Sequence, residues 1–270
     1  MANGNSSQPV NILLSRDELL LVLSLLEAQY IPGLDVDPLG ERSAEQQDLA
    51  FVVAARGLRA RDLARVRADA QSGQLVVHVG LLAAVSACAY SSNAAFVYHW
   101  PSRAEIPARV FSHVRDGSFV VHTPVEDVLH RFTMLSSKEH LVDQVLAACH
   151  PLDGTPSASG EIQVPGSDFA QLRQLAEDGN LNEAKSLLTS DPESTGLVTA
   201  LLETLSSQPQ ISIVQTLRQI DADTVLKRDF TLVQAGSTLW LVAPTAADET
   251  ILIVKPATQE DVRGLLLESI

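Results

Sequence analysis

Histidine is the residue type in this chain best suited to chemistry. All seven histidines fall within the first 150 residues, and His99, His113 and His122 lie on or beside stretches that read as β-strands. Asp116-Gly117 between two apolar runs is a two-residue hairpin signal, because both positions tolerate positive φ. Such a loop sets His113 opposite Val120 and His122 opposite Phe111, with both imidazoles on one sheet face. Diagonal neighbours of that kind are roughly 7–8 Å apart at Cα, near enough to share a metal if His99 supplied a third ligand. The competing reading is plain packing. Phe111 and Val120 share that face, and no carboxylate stands nearby at ligand spacing to orient an imidazole. A histidine-based metal protein or enzyme is therefore the alternative reading, and no metal or cofactor enters the main one.

Other familiar chemistries lack their residues. There is no Gly-x-Ser-x-Gly nucleophile elbow, and Gly154 and Gly160 are not followed by the lysine of a phosphate-binding loop. Cys88 and Cys149 are the only cysteines, too few for a four-thiolate zinc site, and read as small buried hydrophobes. The arginine run Arg56, Arg59, Arg61, Arg65 and Arg67 could hold an anion or an acidic partner, but Asp62 and Asp69 interrupt it. Mixed charge of this kind usually marks a solvated helix face. Among large apolar side chains, Trp100, Trp240 and Phe230 are the candidate partner anchors, with core packing as the commoner role for such residues.

The elements that carry these residues come in two rounds. Val10 to Leu14 reads as a strand, and Ser15 with Glu18 has capping-box spacing ahead of an apolar helix. Ile162 to Val164 followed by Ser167-Asp168 opens the second round in the same way. Gly80-Leu81-Leu82 and Gly196-Leu197-Val198 each begin an apolar helix that ends in paired serines before a strand. Strand, proline and acidic helix start close each round, at Pro124 with Glu126-Asp127 and at Pro256 with Glu260-Asp261. The expected organisation is an N-terminal half over 1–150, a Pro/Gly/Ser-rich linker over 151–160 and a C-terminal half over 161–270, together one compact unit.

Composition narrows the partners. Hydrophobic residues make up 46% of the chain, enough to build a large core. The net charge of −14 repels phosphate backbones, which argues against nucleic acid. The polar N-terminus lacks a secretory signal, and no apolar run reaches the roughly 20 residues of a membrane span. A cytoplasmic protein is expected, with no membrane partner.

The order of these elements resembles the ESX (type VII) secretion-associated EspG family. The resemblance rests on the Ser15-Arg16-Asp17-Glu18-Leu19 helix start, the acidic and arginine-bearing helix from Glu41 to Gly57, and the closing Leu252-Ile253-Val254-Lys255-Pro256-Ala257. That closing strand runs into Glu260-Asp261-Val262-Arg263 and Leu265-Leu266. The family's late Asp-Thr is present as Asp223-Thr224, and Lys227-Arg228 replaces its Gly-Arg pair. The resemblance implies an α+β, quasi-two-fold fold with a central antiparallel sheet flanked by helical bundles. It also implies a non-enzymatic cytosolic chaperone or adaptor for helical PE-PPE-like secretion substrates. A structural homo-oligomer, joined through a sheet edge or a bundle face, is the further alternative, so a homo-dimer stays open.

Overall fold

The computed structural model describes residues 9–67, 74–102, 104–126, 128–151, 159–188 and 195–270. Its elements follow one order twice: a short strand, three helices, four strands and a closing helix. The first round is β1 (Val10–Ser15), α1 (Arg16–Leu25), α2 (Ala44–Ala60), the small added hairpin β2 (Ala64–Val66) and β3 (Leu75–Val77), α3 (Val79–Ala89), β4 (Asn93–Trp100), β5 (Ala108–Arg115), β6 (Ser118–Val125), β7 (Leu129–Leu135) and α4 (Lys138–Ala148). The second is β8 (Ile162–Pro165), α5 (Gly166–Glu177), α6 (Leu181–Ser186), α7 (Thr195–Ser206), β9 (Gln210–Gln219), β10 (Val225–Ala235), β11 (Thr238–Pro244), β12 (Ile251–Pro256) and α8 (Gln259–Ser269). Strand adjacency repeats too, as β1-β7-β6-β5 and as β8-β12-β11-β10-β9. The fold is α+β and its plan is duplicated.

Contacts divide the chain into two compact units, 1–94 with 110–141 and 95–109 with 142–270. The two rounds thus describe the order of elements, while β4 and most of α4 are built into the second unit. Of the expected linker over 151–160, only 151, 159 and 160 are among the described residues. Among those residues, no helix is long and apolar enough to cross a membrane.

In the first unit, alternation along β1 turns Ile12 and Leu14 inward and leaves Asn11 and Leu13 exposed. Ser15 ends the strand and caps α1: its hydroxyl accepts from Glu18 N–H while the Glu18 carboxylate accepts from Ser15 N–H. Ser43 and Gln46 cap α2 in the same way. Leu19, Val22 and Leu23 of α1, Leu58 of α2, and Leu81 and Val85 of α3 pack with Val120 and Phe132 of the sheet. The β5–β6 hairpin turns at Asp116 (φ 48°) and Gly117 (φ 77°), which sets Phe111 opposite His122 and His113 opposite Val120. That is the register the two-residue loop predicts.

Pro124 departs from expectation. Its strand does not lead into a helix: β6 continues to Val125, Glu126 turns the chain at φ 59°, and β7 returns antiparallel with Pro124 opposite His130. Acidic residues after a proline suit a turn as well as a helix start, and here the turn wins. The counterpart of β12–α8 is therefore β7–α4.

In the second unit, strand order is β4-β9-β10-β11-β12-β8. Leu172 and Ala176 of α5, Ala184 of α6, and Leu197, Val198, Leu201 and Leu205 of α7 pack on Val233, Trp240, Val242 and Val254. Ser167 is not the cap of α5. Pro165 holds that position without a side-chain bond, and the Ser167 hydroxyl donates to Asp168 instead. The second round keeps a capping box at its end, where Thr258 and Asp261 start α8.

Candidate partner-binding groove

The histidines are structural wherever the structure describes their contacts. His122 on β6 is fully buried, with Nδ1 3.0 Å from the Pro32 carbonyl and Nε2 3.0 Å from Nδ1 of His130 on β7. Its ring stacks on Phe132 at 4.7 Å and 8°. His113 sits 3.4 Å from the Ser91 hydroxyl, and burial pushes its pKa down to about 3. His99 lies 2.8 Å from the Ser212 hydroxyl, which itself donates to the Cys149 carbonyl. Burial first, and then the neighbouring His150, lowers the His99 pKa. His78 accepts from Gly80 N–H at the start of α3.

His99, His113 and His122 do not form the three-ligand set considered from sequence. Among the described residues, no group of three or more His, Cys, Asp or Glu side chains is placed to hold a metal. The nearest ring to His122 in the hydrogen-bond network is His130, which sequence reasoning left aside. Burial raises both thiols as well, Cys149 to about 12, so neither offers a thiolate at neutral pH.

The arginine run is divided rather than continuous. Arg56 and Arg59 lie on α2, Arg61 follows its last turn, Asp62 turns the chain at φ 57°, and Arg65 lies on β2. Arg61 bonds the Leu13 carbonyl and the Glu18 carboxylate, each at 2.6 Å.

Phe230 and Trp240 are also placed differently from a partner anchor. They are 3% and 1% exposed, and the Trp240 indole N–H donates to the Thr204 hydroxyl. Both give their apolar surface to the chain's own core and have none left for a partner.

Trp100, by contrast, lines a groove of about 560 Å³ in the second unit. Its floor is Trp100 with Ile211 and Ile213 of β9, and its rim is Arg173, Glu177 and Asp178 at the end of α5. One face of β9 carries Ser212, Val214 and Thr216, all buried, and the other carries Ile211, Ile213, Gln215 and Leu217. Ser212 and Thr216 are 2% and 1% exposed, while Ile211, Ile213 and Leu217 stay half-buried. Hydrogen bonds let the two hydroxyls share the buried face with Val214: Ser212 is held by His99 and Cys149, and Thr216 donates to the Arg228 carbonyl. The two buried hydroxyls are thereby satisfied, and Ile211 and Ile213 on the other face line the groove. On the rim, Arg173 pairs with Glu177 at 3.0 Å and Asp178 accepts from Gln174, which leaves an acidic excess. Gln208 closes one end at φ 60°, a conformation that non-glycine residues adopt at a cost of roughly 1–3 kcal/mol and that gathers at functional sites.

The groove thus sets apolar residues of β9 and Trp100 beside the charged end of α5, on a duplicated α+β scaffold. The chain is similar to the solved structure of the Mycobacterium tuberculosis type VII secretion system chaperone EspG5 in complex with the PE25-PPE41 dimer. The TM-score is 0.64 at 15% identity, over 97% of this chain and 95% of that one. The two share a fold. No family model and no curated protein matches the sequence.

Proposed function

We propose that this protein is a non-enzymatic, cytoplasmic chaperone or adaptor that holds a helical PE-PPE-like secretion substrate in the groove of its second unit. The observation that carries this reading is the groove itself, where the half-buried Ile211 and Ile213 of β9 lie with Trp100 beside the charged end of α5. Ile211 and Ile213 keep part of their apolar surface accessible, and a partner that covered it would gain from its withdrawal from water. The fold shared with EspG5, solved with PE25-PPE41, supports a partner of that class.

Titration calorimetry with a purified PE-PPE pair, PE25-PPE41 included, tests the reading. Binding is expected, and Ile213→Asp or Trp100→Ala should weaken it by about tenfold or more, as truncations at the centre of an interface do. Failure of every PE-PPE pair to bind, or full binding by both variants with unchanged circular dichroism, would sink it.

A further inference from the structure

The exposed face of α2 carries residues whose order inverts about its centre. Glu45, Asp48, Val52, Arg56 and Arg59 are spaced 3, 4, 4 and 3 apart and so line one stripe of the helix. That stripe is opposite the side that buries Ala54 and Leu58. All five are exposed, Val52 at 48%, and Leu49 (66%) and Val53 (58%) broaden the apolar centre. Acidic residues stand at one end and arginines at the other, at equal distances from Val52. Among the described residues none of these four charged side chains makes an ion pair within the chain.

We infer that this face pairs with the same face of a second copy of the chain, antiparallel, across a two-fold axis at Val52. In that arrangement Glu45 meets Arg59 of the second copy, Asp48 meets its Arg56, and Val52 meets its own equivalent. One surface is then complementary to itself in both shape and charge, which is what an isologous interface requires. A parallel pairing would set like charges opposite each other. The helix face is small and rim ion pairs are weak, so the dimer is a weak one, with a dissociation constant of roughly 10–1000 µM. The inference does not depend on the groove, which belongs to the other unit.

Sedimentation velocity of the full chain, from about 5 to about 500 µM, should show a monomer–dimer equilibrium that added salt weakens. Val52→Glu sets two carboxylates together on the axis and should weaken association about tenfold or more. Arg56→Asp should do the same by repelling Asp48, and the double variant Asp48→Arg/Arg56→Asp should restore it. Val52→Cys should form a covalent dimer on mild oxidation much faster than Val225→Cys, a control at a site 59% exposed, because the native Cys88 and Cys149 are buried. These positions are on the surface, so melting curves should match the parent. A monomer at every concentration, undiminished dimer in Val52→Glu, or equal oxidation of the two cysteine variants would overturn the inference.

Discussion

His122 and His130 share a buried 3.0 Å hydrogen bond between Nε2 and Nδ1, and the geometry assigns the protons on both rings. The Pro32 carbonyl can only accept, so Nδ1 of His122 carries the hydrogen. In the neutral ring Nε2 is then an acceptor, and Nδ1–H of His130 donates to it. One imidazole thus ties the segment after α1 to β6 and β7.

Replacing His122 by Phe keeps a ring for stacking on Phe132 but removes both bonds. The Pro32 carbonyl loses its donor and Nδ1–H of His130 its acceptor, so stability should fall by about 2–4 kcal/mol. Urea unfolding measures this, and an unchanged midpoint would contradict the assignment.

Gly33 lies against the same site at φ 85°. A Cβ there would stand 2.5 Å from Cε2 of Phe111 and 3.1 Å from Cε1 of His122, neither of which can move freely in a packed core. Gly33→Ala combines that clash with a left-handed backbone and should cost roughly 2–4 kcal/mol, whereas Gly40→Ala, with open space around it, should cost only its conformational strain.

Acidification should destabilise the protein before its carboxylates titrate. His113 stays neutral in the folded chain down to about pH 3, while in the unfolded chain it takes a proton near its ordinary value of 6.5. Between those values the unfolded state binds more protons, so stability rises with pH across that window and is level above it for this group. His99 is lowered in the same direction. Each such group removes up to about 1.4 kcal/mol per pH unit. Urea midpoints at neutral pH and near pH 5 should show the fall, and His113→Leu should show a smaller one; equal midpoints would contradict it.

Arg61 joins three pieces of the first unit. It bonds the Leu13 carbonyl on the outer strand and pairs with Glu18, a capping carboxylate whose residue is only 7% exposed. Because Arg61 itself is partly solvated, Arg61→Ala should cost about 1–2 kcal/mol, less than a buried ion pair would suggest. Exchange of amide hydrogens in β1 and the first turn of α1 should quicken in the variant and not elsewhere.

The features readable from the sequence are those settled within a few residues. Ser15 and Glu18 satisfy each other's backbone groups whatever surrounds them, and Asp116-Gly117 sets the register that puts Phe111 opposite His122. The two rounds of helices and strands follow from apolar periodicity in the same local way. The same reasoning failed at Pro124 and Ser167, where turn and cap chemistry allow two outcomes and only neighbouring strands choose between them.

The groove and the histidine pair belong to the tertiary structure. His122 meets His130 because the turn at Glu126 sets the register of β6 on β7, which neither histidine encodes. Ser212 shares the buried face with Val214, its hydroxyl held by His99 and the Cys149 carbonyl, distant in sequence, and Ile211 and Ile213 on the other face line the groove. Trp100 and Trp240 look alike in sequence, yet one lines a groove and the other fills a core. On α2 the charge-inverting spacing about Val52 was present in the sequence, but only packing could show that this stripe, and not the one through Ala54 and Leu58, faces water. A strand or helix specifies two faces by its period; which of them is buried is decided by the hydrogen-bond partners and apolar surface that the rest of the chain brings to it.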